Sequence, residues 1–137
     1  MTARQGEVRF CVDESALGLG KALTAARRDT IHIGHPLIPE CPLGTLDPDW
    51  IPRVAARNLT VIGRDKHIRT RPGERLLVRE AGLRVFRIGG KRDLGTWDWL
   101  GRLVRFWPQM ERILEERPDG PWFYCVNRNG LAEVPRV

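Results

Sequence analysis

The chain has 137 residues, of which 42% are apolar and 29% charged, as in an ordinary globular domain with one core. No apolar run approaches the ~18 residues of a membrane span, and the N-terminus lacks a signal-peptide core, so a cytoplasmic protein without membrane contact is predicted. The net charge of +6, carried mostly by arginine, favours a polyanionic partner such as nucleic acid or an acidic protein.

Residues 1–6 are predicted to be a flexible tail and residues 7–137 a single domain. The first strand is expected from Glu7 to Val12, and two acids, Asp13 and Glu14, follow it directly. Apolar residues then recur at the spacing of one helix face. Either Asp13 or Ser15 is placed to cap that helix.

A short strand is predicted from Thr30 to Ile33. Prolines and glycines between Gly34 and Leu46 exclude a regular helix there and indicate an irregular loop. A helix from Pro48 to Arg57 comes next, with Asp47 at its start. The run from Leu59 to Ile62 is short, β-branched and bounded by Gly63, which predicts a buried strand.

The second half of the chain continues the alternation of strands and helices. A helix opens at Pro72 with Leu76, Leu77 and Ala81 on its inner side, and a strand near the sheet edge is predicted from Leu83 to Ile88. The longest helix runs from Thr96 to Arg117. A hairpin formed by residues 122–126 and 131–134 closes the chain. The pattern predicts an α/β sandwich with a mainly parallel central sheet and a C-terminal hairpin.

Three carboxylates fall at comparable places along this pattern. Asp13 follows the first strand, Asp47 precedes a helix, and Asp65 comes just after the strand that ends near Gly63. Ligand crevices of open α/β sheets lie at the carboxyl ends of the strands, and carboxylate oxygens are ligands that Mg²⁺ prefers. The sequence therefore predicts a divalent-metal site. Helix capping is the alternative role of Asp13 and Asp47.

Two further groups of residues surround these acids. Glu14 and Asp49 stand beside the first two acids and are additional candidates for metal contact. A basic segment surrounds the third acid, and its cations are expected to contact nucleic-acid phosphates without reading sequence. They are Arg64, Lys66, His67, Arg69 and Arg71. Neither the histidines nor the three cysteines have zinc-site spacing, and Cys11 and Cys125 are expected to be reduced core residues.

Three short segments in order carry a resemblance to a known family. The segments FCVDES, DPDWIPRVAARNLTVIGRDKHIRTRP and GLRVF resemble the small PIN-like proteins related to VapC-type toxins of toxin–antitoxin modules. In that family a strand ends in Asp-Glu, a D-x-x-W/I segment starts a helix, and a later strand leads to an Asp followed by Lys or Arg. Asp13-Glu14, Asp47 with Trp50, and Asp65-Lys66 match these three motifs.

The resemblance implies a PIN-like α/β/α sandwich and a Mg²⁺- or Mn²⁺-dependent endoribonuclease with catalytic, metal-facing Asp13, Asp47 and Asp65. An RNA substrate and a cognate antitoxin follow as partners. Two departures from the family pattern accompany it. A further acid of larger PIN domains is replaced by the proline-rich loop, where only Glu40 is available, and Gly63-Arg64 stands where Thr or Ser is usual.

Two alternatives remain open at the level of sequence. The first is a catalytically weak or inactive PIN-like fold that binds nucleic acid or a protein partner. The second is an interaction protein that forms a homodimer through the tryptophan-rich helix between Trp97 and Trp107, although a core position is the favoured interpretation of those aromatic residues.

Overall fold

A computed structural model describes residues 7–64, 72–89 and 95–135 of the chain. The predicted tail and residues 65–71 lie outside these ranges. The described residues form four α-helices, a 3₁₀ turn at Glu14–Ala16 and six strands. In chain order the helices and strands are β1 (Phe10–Val12), α1 (Leu17–Ala26), β2 (Thr30–His32), α2 (Asp47–Ala56), β3 (Thr60–Gly63), α3 (Pro72–Ala81), β4 (Arg84–Ile88), α4 (Thr96–Glu116), β5 (Trp122–Asn127) and β6 (Gly130–Glu133).

The strands form one sheet in the order β2-β1-β3-β4-β5-β6. All neighbouring pairs are parallel except β5 and β6, which form the antiparallel C-terminal hairpin. Parallel strands need long crossover connections, and the helices between them provide these. The predicted mainly parallel sheet with a closing hairpin is confirmed.

Alternate residues of each strand supply two separate cores, one on each face of the sheet. Cys11, Val61 and Val85 point to the face covered by α2 and α3. Phe86 and Trp122 point to the other face, where they meet α1 and α4. Both faces of the sheet are therefore shielded from solvent, as is usual for a parallel sheet. This burial explains why the strands are nearly continuous runs of apolar residues. The predicted three-layer α/β/α sandwich is confirmed.

The prediction that the strand at residues 83–88 lies near the sheet edge is wrong, because β4 lies inside the sheet between β3 and β5. Its two arginines had indicated an exposed edge. Instead, Arg84 reaches backbone oxygens at the amino end of the sheet and Arg87 lies over β5 near its carboxyl end. Long side chains of this kind carry their charge out past an apolar strand.

One of the three apolar residues predicted on the inner side of α3 is exposed. Leu76 is 49% exposed, whereas the buried stripe of α3 contains Glu74 and Val78. These residues are four apart and therefore share one helix face. The first strand is also shorter than predicted, since pairing begins at Phe10. The predicted inner residues Leu77 and Ala81 do pack against the core, so only the margin of the inner face at Leu76 is wrong.

All three cysteines are free and buried, which confirms the expectation for Cys11 and Cys125. Burial raises the pKa of the Cys11 thiol, and the nearby Cys41 and Asp13 raise it further. Because the thiolate is the reactive form, we expect Ellman's reagent to modify no cysteine in the native protein and three after unfolding in guanidinium chloride. Rapid modification of one thiol without denaturant would contradict this packing.

Candidate active site

The order of the strands creates a crevice at the carboxyl ends of β1 and β3. The chain passes from β1 to β2 on one side and then crosses to β3 on the other side, so the connections diverge at this point. Such a topological switch point is where open α/β sheets bind ligands. Asp13 lies there, since its backbone N–H donates to the carbonyl of Ile62 at 2.8 Å and extends the ladder beyond β1.

The Asp13 side chain is held in place by Ser15. Asp13 is only 5% exposed, and its Oδ2 accepts a hydrogen bond from Ser15 Oγ at 2.9 Å. The Ser15 backbone N–H approaches Oδ1 at 3.4 Å, so Asp13 caps the 3₁₀ turn that precedes α1. Ser15 Oγ also accepts from the backbone N–H of Arg64 at 3.2 Å. One hydroxyl therefore links the acid after β1 to the backbone after β3.

Gly63 provides the space that this carboxylate occupies. A Cβ atom at position 63 would lie 3.2 Å from Asp13 Cβ and 3.3 Å from Oδ2. Such contacts are shorter than ordinary van der Waals separations between these atoms. The glycine at the end of β3 therefore lets the Asp13 carboxylate lie close against the neighbouring strand.

The second predicted acid, Asp47, is the first residue of α2. The helix N-cap is Leu46, so the alternative role of Asp47 as the N-cap is wrong. Instead Asp47 Oδ1 accepts a hydrogen bond from the indole Nε1 of Trp50 at 2.7 Å. Since Trp50 is buried, its ring fixes the orientation of the carboxylate from within the core.

The structure brings Asp13, Glu14 and Asp47 to the wall of one cleft with a volume of about 260 Å³. The proline-rich loop forms part of the same wall, because Thr45 lines the cleft and the backbone N–H of Gly44 donates to Glu14 Oε1 at 2.5 Å. Two of the three acids predicted to be catalytic therefore meet, together with one additional candidate. Asp49 is exposed in the first turn of α2 and does not line this cleft.

Most of the predicted basic segment falls outside the described residues, and so does the third acid. This applies to Asp65, Lys66, His67, Arg69 and Arg71. Arg64 is described, and its guanidinium carbon lies 4.8 Å from the centroid of the Trp99 ring on α4. That contact is a cation–π interaction on the other side of the sheet, so Arg64 does not line the acidic cleft.

Sequence reasoning missed the roles of three residues near the crevice. Ser15 and Trp50 orient the two aspartates, and a polar side chain two or three residues after each acid was the available signal. The third is Arg87, which is in register with Gly63 and therefore lies two strands from Asp13, a separation of about 10 Å. Its Nη2 approaches Cys125 Sγ at 3.2 Å, and its buried Nε has no partner among the described residues.

The cleft suits a hard divalent cation by the chemistry of its donors, which are carboxylate oxygens. Across residues 7–64, 72–89 and 95–135, no three His, Cys, Asp or Glu side chains converge closely enough to hold a metal ion by themselves. Mg²⁺ commonly takes one or two carboxylates and completes its coordination with water and phosphate oxygens, so Asp13 and Asp47 fit such a site.

The only acid of the proline-rich loop is engaged elsewhere. Glu40 accepts two hydrogen bonds from Arg57, at 2.5 Å from Nε and 2.7 Å from Nη2. This two-bond geometry is characteristic of an Arg–carboxylate pair. Since Glu40 does not line the acidic cleft, it does not replace the additional acid of larger PIN domains.

Comparison with known proteins agrees with this architecture. A family model described as a PIN-like domain matches residues 8–90, which is more than half of the chain and includes all three predicted catalytic aspartates. Neither a curated protein nor a solved structure matches the chain. None of the described helices is long and apolar enough to cross a membrane. The chain therefore belongs to the family of PIN-like domains, whose fold is of the nuclease type.

Proposed function

We propose that this protein is a metal-dependent endoribonuclease and the toxin of a type II toxin–antitoxin module. The observation that carries the proposal is the buried carboxylate of Asp13, held at the switch point of the sheet in one cleft with Asp47 and Glu14. Carboxylate oxygens gathered in one cleft are the ligands that a hard divalent cation prefers. Membership of a family of nuclease-type folds supports phosphodiester hydrolysis as the reaction.

Asp13 and Asp47, with Asp65 from the sequence match, would hold Mg²⁺ or Mn²⁺. When bound, a divalent ion supplies Lewis acidity that offsets negative charge on the reacting phosphate. The protein's own part is to keep these oxygens oriented, and Ser15 and Trp50 do so through the hydrogen bonds that they donate to the two aspartates. Carboxylates that are oriented before substrate arrives need no reorganisation during the reaction.

The cations of the proposed site would bind the RNA backbone. Arg87 lies on the same face of the sheet as Asp13, and its buried Nε is a donor without a partner among the described residues. The basic segment after β3 would add phosphate contacts through Arg64, Lys66, His67, Arg69 and Arg71. Contacts of this kind give affinity and position without sequence preference. We infer that base selectivity depends on other groups.

The cognate antitoxin would inhibit the enzyme by covering the acidic cleft. An arginine from the antitoxin placed between Asp13 and Asp47 would form charge-assisted hydrogen bonds with their carboxylates. Such an arginine would occupy the position of the cation and exclude the substrate phosphate. Expression of the active protein is expected to arrest growth, and co-expression of the antitoxin is expected to restore it.

The proposal is tested by incubating RNA with the purified protein in Mg²⁺, in Mn²⁺ and in EDTA, for wild type and for Asp65→Ala. We expect internal cleavage by the wild type in either metal, none in EDTA, and a loss of activity in the variant. Equal cleavage by both proteins would remove the metal mechanism. Cleavage that persists in EDTA would replace it with metal-independent hydrolysis.

A second candidate function is RNA binding without cleavage. The observation that favours it is the absence, within the described residues, of three converging metal-ligand side chains. This alternative predicts binding that weakens with salt, ignores divalent ions and survives loss of the Asp13 carboxylate. Filter binding of RNA at several salt concentrations, with and without Mg²⁺, separates the two functions.

Gly63→Ala tests whether the position of the Asp13 carboxylate matters. The new methyl group lies 3.2 Å from Asp13 Cβ, so we expect the carboxylate to shift by a few tenths of an ångström. RNA cleavage should fall by about tenfold, because small misplacements of catalytic groups are costly. The overpacking should lower the free energy of unfolding by about 1–3 kcal/mol in a urea titration.

Gly101→Ala is the matched control, because a Cβ atom at this position of α4 has no neighbour within 4 Å. We expect unchanged RNA cleavage. The free energy of unfolding should rise by about 0.5–1 kcal/mol, because alanine is more favourable than glycine within a helix. Full activity of Gly63→Ala would show that the close approach at Gly63 has no part in catalysis.

A further inference from the structure

A second cleft lies at the opposite end of the parallel strands, below the first residues of β1, β3 and β4. Its volume is about 300 Å³, which is at the lower end of the range for small-molecule sites. Three arginines line it, Arg9, Arg57 and Arg84, and no carboxylate lines it among the described residues. The cleft is therefore cationic and separate from the acidic cleft around Asp13.

Two of the three arginines have carboxylate partners outside the cleft. Arg9 forms ion pairs with Asp29 at 3.1 Å and Glu111 at 2.6 Å. Arg57 uses Nε and Nη2 for its pair with Glu40. Its Nη1 has no hydrogen-bond partner in the described part of the chain, so this side of the guanidinium remains available as a donor.

Arg84 differs from these two because its hydrogen bonds go to neutral oxygens. Its Nη1 donates to the Pro118 carbonyl at 3.1 Å, and its Nη2 donates to the carbonyl and Oδ1 of Asn58 at 2.7 and 3.0 Å. Asn58 adopts a left-handed backbone conformation with φ of 57°, and both of its oxygens accept from the same nitrogen. Apart from glycine, residues with short polar side chains tolerate this conformation best. These contacts hold the guanidinium in one position.

The charge of Arg84 is not balanced by a nearby acid. No carboxylate of the described residues lies within ion-pair distance of it, and only the more distant Asp119 stabilises its charge. Burial lowers the pKa of Arg84, and the positive charge of Arg9 lowers it further. A half-buried, immobilised cation beside two others favours an anion, because an anion restores the interactions that burial removes.

We propose that this cleft is a phosphate-binding site in which Arg84 is the principal ligand, through Nε and the second N–H of Nη1, and Arg57 Nη1 is a second donor. Guanidinium groups match the geometry of phosphate oxygens. Donors that approach from several walls suit a tetrahedral oxyanion better than a planar carboxylate. Inorganic phosphate, a nucleotide phosphate and the backbone of an RNA strand share this chemistry. The site is independent of catalysis at Asp13.

The test is an NMR titration of the ¹⁵N-labelled wild-type protein in EDTA at constant ionic strength, with the arginine Nε–Hε signals as the readout. Three ligands are compared: inorganic phosphate, adenosine 5′-monophosphate and a short oligoribonucleotide without terminal phosphates. We expect the Arg84 signal to shift and saturate with at least one of them. Saturation by both monophosphates assigns the site to free phosphate or nucleotide, and saturation by the oligonucleotide alone assigns it to an RNA backbone.

The matched variants are Arg84→Gln and Arg112→Gln, which each remove one positive charge. Arg112 is exposed on α4 and does not line the cleft. Arg84→Gln should weaken phosphate binding by about tenfold or more, as expected for loss of charged hydrogen bonds, and Arg112→Gln should not. Parallel, unsaturated shifts of the Arg84 and Arg112 signals in wild type, or no shift with any ligand, would overturn the proposal even if Arg84→Gln fails to fold.

Discussion

Asp13→Asn is expected to reduce metal-dependent RNA cleavage roughly 100- to 1,000-fold while the protein remains folded. The substitution keeps the shape of the side chain and removes the negative charge that the proposed cation needs. Asp13 is 5% exposed and is held by Ser15, so the amide has little freedom to adopt another position. Initial rates on a labelled RNA, together with circular dichroism of both proteins, check this expectation.

Asp98→Asn is the control for the Asp13 experiment. It removes one carboxylate from an exposed position in the first turn of α4, away from the acidic cleft. The rate should stay within about twofold of wild type, because exposed single charges contribute little. If Asp13→Asn retains full activity with Mg²⁺, the buried carboxylate has no catalytic role and RNA binding without cleavage becomes the better account.

Phe86→Ala is expected to lower the free energy of unfolding by about 3–5 kcal/mol, a large part of the ~5–15 kcal/mol available to a domain. Phe86 is completely buried in β4, and its ring centroid lies 4.9 Å from that of Trp122 on β5. Removal of the ring leaves a cavity between the sheet and α4. Guanidinium unfolding followed by tryptophan fluorescence measures the change.

Val104→Ala provides the comparison for Phe86→Ala. Val104 lies on α4 and is 64% exposed, so we expect the free energy of unfolding to change by no more than about 0.5 kcal/mol. If β4 were an edge strand with one solvent-exposed face, Phe86→Ala would lower the free energy of unfolding by less than about 1 kcal/mol. That result would contradict the central position of β4.

The error about β4 shows what a residue pattern leaves undetermined. The alternation of arginine with apolar residues along this strand fits an exposed edge, but it fits equally well a central strand whose arginines lie near its two ends. At the amino end of β4, Arg84 donates to oxygens of Asn58 and Pro118. Near the carboxyl end of β4, Arg87 lies over β5. The partners of both side chains are distant in sequence, so no local signal indicated them.

The exposure of Leu76 on α3 has a related cause. A helical period marks a broad apolar stripe, and residues at its margin are buried only if another element covers them. On α3 the covered face is turned so that Glu74 takes a buried position and Leu76 does not. The rotation of a helix about its own axis is decided by packing.

The sequence indicated the acidic residues of the proposed site but not the residues that orient them. An acid directly after an apolar strand marks the carboxyl edge of a parallel sheet, which indicated Asp13 and Glu14, whereas Asp47 was indicated by its position at the start of a helix and by the family motif. Their meeting in one cleft depends on the proline-rich loop, which hydrogen-bonds to Glu14 through Gly44 and leads into α2 at Asp47. The third acid, Asp65, lies beyond the described residues and stays a prediction.

By itself, the sequence determined the layered α/β architecture and the family and predicted the acids of the site, because apolar periodicity and short motifs are local properties of the chain. Only the tertiary structure decided that Ser15 and Trp50 orient those acids and that Gly63 makes room for one of them. It also decided that three arginines meet at the opposite end of the sheet. Hydrogen bonds and close approaches of this kind depend on strand order and helix rotation, which arise when distant segments bury their apolar surfaces together.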